Sequence, residues 1–575
     1  MSERDRASAT TAGEPAEGRD AASAATGAER ASAAPVAAAA PPEARAEEGA
    51  TAAAPPGPST EEGATPTAAP PALSATGVLR LPLELVVFVV GSASLGAEIA
   101  AARLLAPYFG ASTIVWANTI ATVLVALAVG YWIGGKMADR RPHPRGLSLV
   151  VVCASVLLAV VPFVGRPFLS ESVKALDSIS AGAFLGSFVG VLVLVAVPVL
   201  LLGAVSPYAV RLKMGAVDQA GTVAGRLYAI GTAGSLVGTF LSALLLIPVI
   251  GTRRTFLTFA LALALVGALN LGRRWLVVPL IIAVLIALPT GTIKPAEAGT
   301  RVLHEEETPY QYARVVQDAD GTRRLELNEG VATHSLMRPG TVLTGDYWDE
   351  YLVLPFGGAR PAPPRRIAIL GNAAGTTARA YAHLFPQARV DAVEIDGALT
   401  RIGRRWFDLR GPNLHTYTAD ARPWIARQPD GRYDAIFVDT YRQPYIPFYL
   451  ATREFFATVR RKLAPGGMVI VNIGHPEGSH DLEKVLAATM RAAFPYVYRD
   501  EVEPTNTMGV ASSAPVSAAR LRAAPVPNEL RDIAAGAAER LLPARRGGSV
   551  YTDDRAPVEW LVDASIVQVA AHGER

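Results

Sequence analysis

The chain has 575 residues, 54 Lys plus Arg against 51 Asp plus Glu, and a formal net charge of +3. That length calls for two or three domains, the near-neutral balance argues against a bulk nucleic-acid binder, and the single cysteine, Cys153, excludes an intrachain disulfide framework and any Cys-clustered metal site. Charged residues make up 18% and hydrophobic residues 50%, against about 25% charged in soluble domains, which points to membrane segments.

Residues 1–78 are mostly Ala, Pro, Glu, Ser, Thr and Gly, with no aromatic residue. Such a stretch cannot bury enough apolar surface to offset its ordering entropy, so it reads as a disordered tail. With no apolar core behind a basic start, it is not an ordinary signal peptide.

Residues 79–292 form a helical membrane domain. Seven apolar stretches are visible, roughly 82–105, 113–134, 147–167, 183–209, 226–250, 254–271 and 275–290. Five approach or exceed the ~20 residues that a helix needs to cross a bilayer. Gly225, Gly231, Gly234 and Gly238 would let helix backbones approach closely. Lys136, Arg140, Arg141 and Arg145, then Arg211, Lys213 and Arg226, follow alternate segments. The positive-inside rule therefore puts the amino terminus in the cytoplasm. Seven full crossings would place the carboxyl-terminal half outside, against the chemistry below, so one of the two short final segments is expected not to cross fully. Glu98, Arg103 and Asn118 lie within the first two segments and read as a structural pair or interface anchors before a transport site. The run Gly134-Gly135-Lys136-Met137-Ala138-Asp139-Arg140-Arg141 resembles the loop between the second and third helices of major facilitator transporters.

Residues 300–360 form a small β-rich unit, with strands at Tyr312–Gln317 and Arg324–Asn328 around an Asp318–Gly321 turn. Residues 361–515 alternate strands and helices. The strands are Arg366–Leu370, Val390–Ile395, His415–Ala419, Asp434–Val438 and Met468–Ile473, and helices include Thr376–Leu384 and Phe448–Leu463. This alternation predicts an α/β Rossmann-like domain, a parallel sheet with helices on both faces. Residues 516–575 form a less regular extension.

The chemistry gathers at successive strand ends. Gly371 and Gly375 bracket a turn after the first strand, with neither a three-glycine dinucleotide fingerprint nor a phosphate-loop lysine. Glu394 ends the second strand, where a carboxylate can accept hydrogen bonds from both ribose hydroxyls. Asp420, followed by Ala421, ends the third and can accept from an adenine amino group. Together they read as an adenosine site without a pyrophosphate, as for an S-adenosyl sulfonium. Asp439 emerges from the apolar fourth strand into the same crevice and is the candidate catalytic acid-base group, able to hold or deprotonate an attacking amine.

On these residues, together with Glu307-Thr308-Pro309-Tyr310-Gln311-Tyr312, Leu327–Val331, Thr344–Trp348, Asp439–Pro447 and Thr552–Pro557, the chain resembles the spermidine synthases, polyamine aminopropyltransferases, and particularly their branch fused to a major-facilitator-like membrane domain. The resemblance implies transfer of an aminopropyl group from decarboxylated S-adenosylmethionine to a polyamine or other amine, with release of methylthioadenosine and no metal. It implies Glu394 as ribose ligand, Asp420 as adenine contact, Asp439 as the acid that prepares the amine, Tyr347 and Tyr441 as substrate contacts, and self-association. Three positions depart from the family pattern. Ala374 stands where an acid usually holds the aminopropyl nitrogen, Arg442 or Gln443 where a second acid stands, and Trp348 where a Gln is common. His334 reads as a loop residue or a substitute base. Two further readings remain. One is a methyltransferase using ordinary S-adenosylmethionine, which Ala374 motivates. The other is a non-catalytic membrane carrier or sensor. The expectation is an integral cell-membrane protein, in contact with lipid and not with nucleic acid, with its catalytic domain in the cytoplasm.

Overall fold

The structure is a computed structural model and describes residues 81–110, 113–176, 182–215, 220–289, 293–330, 332–360, 362–441 and 445–572. The expected disordered tail, and the Arg442 and Gln443 positions, lie outside the described residues.

The first half is helical: α1 (Leu83–Phe109), α2 (Thr113–Arg140), α3 (Pro144–Leu176), α4 (Gly182–Leu194), α5 (Ala196–Lys213), α6 (Ala220–Phe240), α7 (Ile247–Leu271) and α8 (Val277–Ala287). Among the described residues five helices are long and apolar enough to cross a membrane, not seven: Leu83–Phe109, Val115–Arg140, Pro144–Val173, Ala196–Lys213 and Ala220–Leu271. The expected fourth segment breaks at Val195 into α4 and α5. A π-helical turn, Leu241–Leu246, lies inside the expected fifth segment, and the break between the expected fifth and sixth falls at Gly251, whose φ of 80° is not helical. The last, α8, has 11 residues. It is short but runs back along α7, because Arg254 donates to the Ile286 carbonyl at 3.3 Å and Arg253 to the Pro289 carbonyl at 3.1 Å.

Helix order follows from close backbone contacts. A Cβ on Gly234 would lie 2.2 Å from the Phe88 carbonyl oxygen, and one on Gly238 2.0 Å from that of Ser92, so α1 and α6 run parallel in contact. Gly225 has nothing near it and takes no part. Gly134 of the transporter-like run packs against Ala204 of α5 in the same way. The start of α1 meets the end of α7, where the Leu81 amide donates to Asn270 at 2.8 Å. Glu84, Lys213 and Arg226 pair at this end. The other end of α1 meets the second half of the chain. Arg103 donates to the Pro309 carbonyl, and Thr252, just beyond the Gly251 break, donates through its amide and hydroxyl to Glu307. Arg103 thus ties α1 to the second half of the chain, and Asn118 donates to Ser187 at 2.9 Å.

Strands β1 (Arg301–Glu307), β2 (Tyr312–Gln317), β3 (Arg323–Leu327) and β4 (Thr333–Met337) form an antiparallel sheet. After the short helix α9 (Glu350–Val353) come β5 (Arg366–Leu370), α10 (Thr376–Leu384), β6 (Arg389–Glu394), α11 (Gly397–Trp406), β7 (Leu414–Thr418), α12 (Ala421–Ala426), β8 (Tyr433–Val438), α13 (Arg453–Lys462), β9 (Leu463–Gly474) and α14 (Asp481–Arg491). Strands β10 (Tyr496–Glu503) and β11 (Asn506–Ser512), helices α15 (Ala518–Arg522) and α16 (Arg531–Arg540), β12 (Leu542–Pro543) and α17 (Val558–His572) complete the chain. The eight-stranded sheet has the order β12-β10-β11-β9-β8-β5-β6-β7. Only β5 to β9 are parallel, and β10, β11 and β12 extend the sheet antiparallel, so the expected parallel sheet is mixed.

Alternation along the strands fills both faces. Ala368 and Leu370 of β5 join a core with α12, α13 and α14, whereas Ile367 and Ile369 join one with α9, α10 and α16. Leu399, Ile402 and Phe407 of the α11 region pack on Val315 and Leu325, which seats the small sheet beside β6. Strand order reverses between β5 and β8, and in an open α/β sheet that switch point opens a crevice at the carboxyl ends of the strands.

Candidate active site

The crevice between β5 and β8 is fixed by backbone. Gly371 has φ of 83°, and a Cβ there would lie 2.1 Å from the Asp439 carbonyl oxygen. The Asp439 amide donates to Leu370 at 2.9 Å. Gly375, in the left-handed region at φ 95°, starts α10, and a Cβ on it would strike Leu409. Gly371 lines the cavity; Gly375 shapes the loop from behind, not from the wall where it was expected.

Glu394 is buried at the end of β6. Its carboxylate accepts the Ala373 amide at 2.8 Å and the Asp396 amide at 3.0 Å. Burial pushes it up to about 7 while these amides pull it down. Asp420 caps α12 through the Arg422 amide at 2.9 Å and accepts the Tyr449 hydroxyl at 2.9 Å, with Ala421 buried beside it. All three line the cavity.

Asp439 sits on the cavity floor, enclosed by protein though still reached by solvent. One carboxylate oxygen accepts the Tyr347 hydroxyl at 3.1 Å and the other the Asn472 amide at 2.9 Å. Burial raises it to about 6, against these hydrogen bonds. It is therefore ionised at neutral pH, yet basic enough to take a proton. Tyr347 is held from behind, its amide donating to Glu503 at 2.8 Å and its ring 4.4 Å from that of Trp348. Tyr441 lines the cavity, but its hydroxyl donates to the Asn472 carbonyl at 3.1 Å and accepts the Gly474 amide. It fixes the end of β9 and does not present its hydroxyl to an amine. His334 lies on β4, not in a loop; it faces the cavity, and burial lowers it to about 4, so it is neutral at pH 7.

Sequence reasoning missed Asn472, Asn506 and Glu503. Asn506 donates to Asn472 at 2.8 Å and so fixes which way the Asn472 amide faces Asp439. The available signal was an Asn inside the apolar run Val469–Ile473, as conspicuous as Asp439 after its own strand. Glu503 and Asp346 also line the cavity beside Tyr347, and burial pushes both carboxyls up.

Among the described residues, several buried polar atoms on the cavity wall have no partner: both amide atoms of Asn372, the Thr440 hydroxyl and Nε2 of His334. Buried polar groups are normally satisfied, so these fit a polar ligand lying across the β5 and β8 ends.

No family model matches the chain. It is 31% identical over 219 residues to a probable polyamine aminopropyl transferase of Bifidobacterium longum, covering 37% of this chain and 48% of that one. It is 27% identical over 435 residues to polyamine aminopropyltransferase 1 of Streptomyces coelicolor, covering 69% of this chain and 76% of that one. The match thus spans about half the length of the Bifidobacterium relative. A solved structure, a probable spermidine synthase from Corynebacterium glutamicum, is 26% identical, with 44% of this chain and 98% of that one covered at a TM-score of 0.33. The sequence relatives support the polyamine aminopropyltransferase family and, with it, a transferase.

Proposed function

We propose, from its relationship to the polyamine aminopropyltransferases, that this chain is a membrane-embedded enzyme that moves an aminopropyl group from decarboxylated S-adenosylmethionine to an amine and releases methylthioadenosine. The observation that carries this is the Asp439 carboxylate, held between Tyr347 and Asn472 at the switch point and in one cavity with Glu394 and Asp420.

When bound, the sulfonium supplies an activated propyl carbon and a neutral thioether leaving group. The chain's residues supply position and charge. Glu394 accepts from the ribose hydroxyls, and Asp420 with Tyr449 borders the adenine end. Asp439 holds the amine and takes its proton as the new bond forms, while Tyr347 and Asn472 fix the carboxylate's direction. Glu503 and Asp346 add negative potential on the amine side. Trp348 fills, with its ring, the place where the resemblance expects a Gln.

Membrane embedding is supported by the five long apolar helices and by large side chains left outward, such as Leu124, Trp132, Leu244 and Leu280. A match over 69% of the chain is also longer than the segment from Thr300 to the carboxyl terminus, so the Streptomyces relative aligns with part of what precedes it. Glu98 and Asn118, which motivated a carrier, are not among the described residues lining the cavity.

Purified full-length protein given decarboxylated S-adenosylmethionine and a polyamine will release methylthioadenosine; none with any amine would refute the transferase reading. The enzyme domain is placed in the cytoplasm, where the sulfonium is made. Lys213, Arg226 and Arg273 gather at the opposite end of the bundle and oppose this under the positive-inside rule. A carboxyl-terminal tag protected from protease in sealed cells is the expected outcome, and its digestion would move the site outside.

A further inference from the structure

One cavity of about 1560 Å³ holds both the reacting groups and a piece of the helix bundle. Asp439, Tyr347, Glu394 and Glu503 line it from the enzyme domain; Ile99, Ala102 and Ala106 of α1, Trp116 of α2 and Ala243 of the π-helical turn line it from the membrane domain. Pockets for small molecules usually enclose about 300–1,000 Å³, so this space exceeds what a nucleoside sulfonium with a short diamine needs.

The helix contribution has a depth. Ile99 lies ten residues before the end of α1 at Phe109, which at 1.5 Å per residue is about 15 Å down the helix. It also lies one helical turn, about 6 Å, below Arg103, the level at which the Pro309 carbonyl meets α1. Three of the five helix residues are alanines, which leave room. Ala243 also sits in a π-helical turn, whose extra residue per turn displaces the backbone and which recurs at functional sites. Trp116, at the exposed start of α2, is the residue type that settles at a membrane interface. Arg103 and the Pro309 carbonyl join the two domains beside this space.

The cavity therefore has carboxylates at one end and, at the other, a mostly apolar helix wall in which Arg103 is taken up by the Pro309 carbonyl. We propose that the acceptor is a membrane-borne amphiphilic amine, an amino head on an apolar chain, whose head reaches Asp439 while its chain lies along Ile99, Ala102, Ala106 and Ala243. This rests on the transferase reading and names its acceptor class. The amine nitrogen forms a bond to the propyl carbon beside the sulfonium. The carbon–sulfur bond breaks with its electron pair going to sulfur, methylthioadenosine leaves, and the amine's proton goes to Asp439. The product stays in the bilayer, carrying one additional amine.

The test uses full-length protein in lipid nanodiscs with decarboxylated S-adenosylmethionine, and putrescine, N-butyl-, N-octyl- and N-dodecylputrescine below their micellar concentrations. Methylthioadenosine release gives kcat/KM. Burying a methylene is worth about fourfold, so a rise of at least about tenfold from putrescine to the octyl acceptor is expected. Ala102→Phe, which fills the apolar branch, should cut the ratio of dodecyl to unsubstituted acceptor about tenfold. Should that variant fail to fold, Ala243→Leu fills the same branch. A flat series overturns the proposal, as does a rise that both variants leave intact, since that rise is partition into lipid alone; in either case release with putrescine leaves the transferase reading standing. Silence with every acceptor overturns both.

Discussion

The switch-point crevice and the helix bundle solve the same problem, close approach of two chain segments, with opposite materials. In the crevice, Gly371 lets the β5 turn touch the Asp439 backbone, and every functional side chain then has its direction set by a hydrogen bond: Tyr347 and Asn472 on Asp439, the Ala373 and Asp396 amides on Glu394. In the bundle, Gly234 and Gly238 let α6 touch α1, and the gain is packing with two serine hydroxyls donating across to backbone carbonyls, Ser92 to Gly234 at 2.9 Å and Ser235 to Gly91 at 3.3 Å. A site built on hydrogen bonds should fail in chemistry while keeping its shape, whereas a contact built on glycine should fail in shape while its chemistry waits.

The largest expected break in that contrast is Asp439→Asn. Losing the base should lower kcat/KM by about 10²–10⁴-fold, with unchanged thermal unfolding and little change in affinity for the sulfonium. The proposed mechanism requires the ionised form in the parent protein, and burial raises its pKa to about 6. Activity should therefore fall about tenfold per pH unit below that point. A flat profile between pH 5 and 7 would remove Asp439 from the proton transfer. Next comes Glu394→Gln, which keeps shape but loses a charge-assisted acceptor. Calorimetry should show about 10–100-fold weaker binding of the sulfonium, as expected for a hydrogen bond to a charged group. Equal affinity would place the ribose elsewhere. The smallest effect on chemistry belongs to Gly238→Leu. Pushing α6 off α1 should cost about 1–3 kcal/mol, read as a lower melting temperature in detergent, with sulfonium affinity unchanged in the protein that remains folded. An unaltered melting temperature would mean that the helices separate without cost.

What could be read from the sequence follows the same division. Strands β5 to β8 lie within one residue of their expected bounds, because β5, β6 and β8 are mostly apolar runs and each of the four is followed or ended by Gly or an acid, and topology alone then carries Glu394, Asp420 and Asp439 into one crevice. Strands β10 and β11 were not legible. The sequence Tyr-Val-Tyr-Arg-Asp-Glu-Val-Glu of β10 alternates charge with apolar residues at the sheet's far side, where Arg540 and Arg545 meet the acids. Asn472 stood out as a polar residue in an apolar run, but its role exists only once β11 brings Asn506 alongside. In the bundle, composition reveals membrane character but not helix ends, because apolar residues continue through the break at Val195, the π-helical turn and the reversal into α8.

The contact of Gly371 with the Asp439 backbone has an evolutionary reading. The turn proposed to border the donor and the acid proposed to serve the acceptor share one van der Waals boundary, where a methyl carbon on Gly371 would lie 2.1 Å from the Asp439 carbonyl oxygen. A lineage cannot remodel the turn for a different sulfonium without moving the base, nor relocate the base without opening the turn. Drift in acceptor preference is thus channelled to the walls that this boundary does not touch, the small side chains of α1 and the turn after α6, where substitutions leave donor and base in register.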